Sequence, residues 1–220
     1  MFARIKHMLA RRKALQAALD LDKDFETWEE TCVPSYAHPN VFAAWTSWTR
    51  LFEAASIAKR YLPTTTRVLD FGAGIAELKS ILPETMHYSF IEELDTSVNW
   101  IKQHHPDATH VSLDDDITGY DAIFALDSLE HNDNYQKLVL QLIEKLNENG
   151  ILIVSGPTEN WLYKLGRRIA GFSGHYHMVN IHNIDTFIDS KMELIERSTV
   201  PFYVPLFIIS VWKRSKTKIG

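Results

Sequence analysis

Between residues 67 and 155 the chain alternates short apolar segments with stretches of helical character, and this rhythm limits its fold more than any other feature. The apolar segments are 67–71 (RVLDF), 88–92 (YSFIE), 109–113 (THVSL), 121–126 (DAIFAL) and 151–155 (ILIVS). Helices are predicted between most of them, at 75–82, 96–105 and 134–147, the last with Gly150 of "NENG" as its C-cap. Buried strands alternating with helices make a parallel sheet covered on both faces. Two further strands, 193–199 (ELIERST) and 206–213 (LFIISVWK), are joined by "VPFYVP". That link is too short for a helical crossover, so the pair is expected to be antiparallel. The expected fold is therefore α/β: a seven-stranded, mostly parallel sheet with an antiparallel last strand.

Two more helices are expected ahead of the sheet. Residues 2–19 place Phe2, Ile5, Met8, Leu9, Leu15 and Leu19 at helical spacing on a basic background, and residues 41–61 form a second helix ended by Pro63. The chain of 220 residues shows no repeat and no low-complexity linker. It reads as one compact unit, with residues 1–62 as a helical extension or substrate lid and 63–220 as the body.

The net charge of −5 is unevenly spread. Arg4, Lys6, Arg11, Arg12 and Lys13 lie in the first 15 residues and Lys213, Arg214, Lys216 and Lys218 in the last nine, with no acid in either stretch. The remaining 14 cations face all 28 acids. An acidic body argues against nucleic acid as partner. Its basic ends suit peripheral contact with an anionic surface such as a membrane. Cys32 is the sole cysteine, which excludes an intrachain disulfide and suits a reducing, cytoplasmic setting. No secretory leader is read in the basic N-terminus, and the longest apolar run, "VPLFIISVW" at 204–212, is too short to span a bilayer.

The first strand runs into "DFGAGIAE", residues 70–77. Glycines at 72 and 74 let a ligand approach the backbone, because neither carries a Cβ. A dinucleotide fingerprint needs a third glycine at position 77, where this chain has Glu77, a charge that opposes a diphosphate. Asp70, directly before the turn, suits a ligand with an ammonium and no phosphates. S-adenosylmethionine is such a ligand; NAD is not.

"VLDFGAGIAE" resembles the first motif of the class I, Rossmann-like S-adenosylmethionine-dependent methyltransferases, with Ala76 in place of a third glycine. Further motifs of that family follow in order over residues 60–213. "FIEELD" is similar to the end of its second strand, which implies that Glu92 or Glu93 holds the ribose hydroxyls. Spacing favours Glu93, since Asp95 then falls at a helix N-cap. "SLDDD" corresponds to the adenine-contacting segment, with Asp114 and Asp115 as candidates. "YDAIFALDSLEHNDN" resembles the fourth-strand motif, which adds Asp127 to the cofactor-binding candidates. "LNENGILIVSGP" is similar to the family's L-x-x-G-G-x-L, with Asn149 replacing the first glycine.

The resemblance implies methyl transfer from S-adenosylmethionine, expected here on an oxygen of a small-molecule, glycan or lipid-linked acceptor. Oxygen attack calls for a base, and the candidates are His131, beyond the fourth strand, and His175 and His177 of "GHYHMVNIH". The H-x-H spacing alone could suggest a metal, but the remaining ligands are not evident and none is expected. Trp45 and Trp48 either line the acceptor pocket or pack as core. Segment 157–171, which mixes Trp161, Tyr163, Arg167 and Arg168, lies beside the expected pocket mouth. Two rivals are an NAD-dependent oxidoreductase and a non-catalytic protein that keeps the fold.

Overall fold

The computed structural model describes residues 1–19, 28, 31–62, 66–158, 179–201 and 205–215. Its helices are α1 (Phe2–Ala18), α2 (Val33–Tyr36), α3 (Val41–Tyr61), α4 (Asp95–His104), α5 (Tyr135–Lys145) and α6 (Ile181–Asp189). Its strands are β1 (Arg67–Phe71), β2 (His87–Ile91), β3 (Thr109–His110), β4 (Tyr120–Leu126), β5 (Leu146–Pro157), β6 (Met192–Val200) and β7 (Phe207–Arg214), and a 3-10 turn, Leu129–His131, follows β4. The strands form one sheet in the order β3-β2-β1-β4-β5-β7-β6. Pairings from β3 to β5 are parallel, and β7 runs antiparallel to both of its neighbours. The expected seven-stranded, Rossmann-like sheet is present.

Side-chain alternation along the strands builds two cores. Val68, Phe90, Phe124, Ile153 and Val211 face one side, where they meet Met8 and Leu15 of α1, Trp48 and Ile57 of α3 and Ile101 of α4. Leu69, Ile123, Leu152, Val154 and Trp212 face the other, against Leu138 and Leu142 of α5 and Ile184 and Ile188 of α6. The N-terminal helices thus share the first core with the sheet. Trp48 is fully buried and donates from Nε1 to Tyr36 O at 3.1 Å, so it packs as core, whereas Trp45 is partly exposed. No helix among the described residues is long and apolar enough to cross a membrane.

Several local expectations are corrected. Residues 75–82 form successive turns instead of a helix, with bonds such as Lys79 N to Ala76 O and Ser80 N to Glu77 O. Ala76 sits at φ +58°, outside the right-handed helical region, and only six residues remain before Pro83. A left-handed residue at the start of this segment interrupts the right-handed helical repeat. The third strand is only two residues long, because the Asp115 carboxylate captures the Ser112 amide at 2.7 Å and turns the chain away. Helix α4 begins one residue early, with Leu94 and not Asp95 as its N-cap.

Gly150 is no C-cap. Helix α5 ends at Lys145, and Gly150 lies inside β5, where the register against β4 shifts between Tyr120 and Ala122. A Cβ there would stand 2.7 Å from Tyr120 O, so glycine is required by close backbone approach.

Candidate active site

The strand order reverses at β1 and β4, so a crevice opens beyond the carboxyl ends of these two strands. Residues 70–77, 91–95 and 127–131 come together there. Gly72 and Gly74 adopt φ +70° and +58°. A Cβ on Gly72 would meet Ser128 Cβ at 2.5 Å, whereas one on Gly74 would meet nothing within 4 Å among the described residues. The first glycine is closed in against the loop after β4; the second borders open space that a ligand can fill.

The turn is pinned from β2. Ile91 O accepts from Gly72 N and Ala73 N at 3.0 and 3.3 Å. The Glu92 carboxylate accepts from Gly74 N at 2.7 Å and from Glu93 N and Leu94 N at 3.0 Å each. Three of the roughly four lone-pair sites of that carboxylate are thereby used. Glu93 is exposed on the same loop, and Asp114 and Asp115 are exposed beyond β3.

Asp70 is buried on the face that carries the N-terminal helices, where Tyr88 donates to its Oδ2 at 2.5 Å. Burial pushes its carboxyl up to about 7; the Tyr88 hydrogen bond opposes this and Glu92 adds to it. Between about pH 4 and 7 the folded state therefore holds a proton that the unfolded state has lost, and stability falls as pH rises through that window. Asp70→Asn keeps the acceptor for Tyr88 and removes the charge. At pH 8 the variant should be more stable than the parent by about 2–4 kcal/mol, converging with it near pH 4. Urea denaturation across this range checks it; parallel pH profiles would contradict it.

Asp127 is the first residue after β4 and has φ +52°. Its Oδ1 accepts from Ser155 Oγ at 2.9 Å, and its Oδ2 forms an ion pair with Arg50 of α3. Arg50 is 1% exposed. It also donates to Tyr36 OH at 3.2 Å and lies 4.8 Å over the Phe207 ring. Arg50 was not among the candidates from sequence. The available signal was an arginine within the buried stretch Trp48–Ala58 of α3, a position that demands an acid from elsewhere.

Glu77 is also buried, and Arg11 of α1 grips it with two hydrogen bonds, Nε to Oε2 at 3.0 Å and Nη2 to Oε1 at 2.5 Å. Its charge is compensated internally, so it does not repel a diphosphate as expected. A different feature disfavours one: residues 75–82 form no helix, and the turn lacks the helix N-terminus on which a pyrophosphate rests. His131 is half-buried at the end of the 3-10 turn after β4. His175 and His177 lie outside the described residues, as does segment 159–171.

The family model described as "Methyltransferase domain" matches residues 45–189, well over half of the chain. The chain belongs to the methyltransferase domain family. This methyltransferase has the class I fold, and solved structures share it at low identity. One is magnesium protoporphyrin IX methyltransferase from Synechocystis with bound S-adenosylhomocysteine: TM-score 0.65, 15% identity, 88% of this chain and 95% of that one covered. Another is 1,6-didemethyltoxoflavin-N1-methyltransferase from Burkholderia thailandensis, bound to 1,6-didemethyltoxoflavin and S-adenosylhomocysteine: TM-score 0.59, 15% identity, 78% and 81% covered. A third is the N-methyltransferase NodS from Bradyrhizobium japonicum with S-adenosylhomocysteine: TM-score 0.60, 11% identity, 79% and 88% covered. No curated protein sequence matches this methyltransferase.

Proposed function

We propose that this methyltransferase moves the methyl group of S-adenosylmethionine to an oxygen of a small-molecule, glycan or lipid-linked acceptor. The observation that carries the cofactor reading is the open side of Gly74, bordered by the Glu92 carboxylate and lying four residues beyond buried Asp70. Asp70 and the Gly72–Gly74 turn take the methionine moiety, whose ammonium favours the ionised form of Asp70. Of the two second-strand glutamates, Glu92 is favoured for the ribose. It already reaches the turn, and its carboxylate keeps one lone-pair site for a hydroxyl. Asp114 or Asp115 takes the adenine amino group.

In the reaction the acceptor oxygen attacks the methyl carbon as the carbon–sulfur bond breaks, and S-adenosylhomocysteine leaves. Most of the rate enhancement comes from holding the three atoms in line. His131, at the end of the turn after β4, is the base for the acceptor proton.

Calorimetric titration with S-adenosylhomocysteine, with NADH as control, tests the reading. Binding in the micromolar range is expected, lost in Asp70→Ala and weakened at least tenfold in Glu92→Gln but not in Glu93→Gln. Binding of NADH in its place would overturn the cofactor assignment.

A further inference from the structure

Helix α1 lies against the segment that should have been a helix after the glycine turn. It does so through one face. His7 Nε2 stands 3.1 Å from Ser80 Oγ, Arg11 grips Glu77 through both carboxylate oxygens, and Met8 and Leu15 are buried beside them. These positions, spaced by one turn, share a helix face. Ser80 Oγ in turn donates to Glu77 O at 2.7 Å. Residues 75–82 have no regular helical ladder of their own. A planar guanidinium meeting a carboxylate bidentately fixes orientation as well as distance. Glu77 is only three residues from Gly74, too short a tether for the turn to move independently of it.

We infer that Arg11 is a positioning residue for the cofactor turn: helix α1, through the Arg11–Glu77 fork, replaces the missing helix after β1 and sets cofactor affinity. This inference rests on the S-adenosylmethionine reading above. The pairing also explains the buried acid at position 77. A glycine there would free the turn, and an unpaired glutamate would be a buried charge with no partner.

Two measurements on the full chain test it. The first is the affinity for S-adenosylhomocysteine. Arg11→Ala should weaken it at least tenfold, and Arg11→Lys, which keeps the charge but loses the fork, should fall between. The double variant Arg11→Ala/Glu77→Gln removes the uncompensated charge without restoring the restraint, so its melting temperature should recover while its affinity stays weak. Arg60→Ala, which breaks an exposed pair with Glu196, serves as control and should bind as the parent does. The second is amide hydrogen exchange of residues 72–80 in the ligand-free protein, which should accelerate in Arg11→Ala and in the double variant. If the parent binds no S-adenosylhomocysteine, the cofactor reading fails, and unchanged exchange in the variants would then sink the positioning role separately. Parent-like affinity in the double variant would reduce Arg11 to a stability element.

Discussion

Arg50→Ala should destabilise the methyltransferase by about 3–5 kcal/mol, a large share of the roughly 5–15 kcal/mol that holds a typical domain folded. Arg50 and Asp127 are both almost wholly withdrawn from water, with side-chain exposures of 2% and 9%. Truncating the arginine leaves a carboxylate in a dry site, with the Ser155 Oγ hydrogen bond as its remaining support among the described residues. It also removes the donor to Tyr36 OH and the cation from the Phe207 ring. The cost thus comes mainly from stranding Asp127 and less from the lost attraction. Arg50→Met combined with Asp127→Asn tests that account, because it replaces the pair with neutral groups of similar bulk. The double variant should regain most of the lost stability, while methyl transfer stays impaired because the loop after β4 loses its tie to α3. Chemical denaturation measures the first; a cost below about 1 kcal/mol for Arg50→Ala would mean that the pair behaves as an exposed one.

The second large effect separates the two glycines of the turn. Gly72→Ala meets two penalties: φ +70° costs an alanine about 1–2 kcal/mol, and a Cβ 2.5 Å from Ser128 Cβ forces the backbone apart at a further cost of about 1–3 kcal/mol. Both S-adenosylhomocysteine binding and stability should fall. Gly74→Ala carries the conformational penalty alone, since its Cβ enters open space. That space is where the cofactor is proposed to lie, so Gly74→Ala should lose affinity about as severely with a much smaller drop in melting temperature. Melting curves with and without S-adenosylhomocysteine distinguish the two. Equal stability losses at both positions would show that Ser128 does not confine Gly72.

Much of the sheet was legible because burial in a parallel sheet leaves short continuous apolar runs, as in RVLDF and ILIVS, and because each crossover needs a stretch of helical length. The helix after β1 was misread since the pattern of residues 75–82 carries no sign that Ala76 takes a left-handed conformation. Gly150 was misread for a similar reason: a glycine that follows a helix looks like a cap whether or not another strand's carbonyl lies 2.7 Å from its Cβ position. Neither decisive ion pair was visible. Arg11 and Glu77 are 66 residues apart, and Arg50 and Asp127 are 77 apart. Side-chain periodicity reports only which face of one element is buried, so pairing between distant elements leaves no local trace.

By itself, then, the order of residue types determined the strands, the glycine turn, the acid before it and the family they imply. These depend on backbone sterics and on burial within a few neighbouring residues. Only the tertiary structure decided that Glu77 is neutralised from α1, that Asp127 is held by an arginine of α3, and that Glu92 and not Glu93 reaches the turn. Those outcomes depend on which charges share a dry space, and that is settled when the helices close over the sheet.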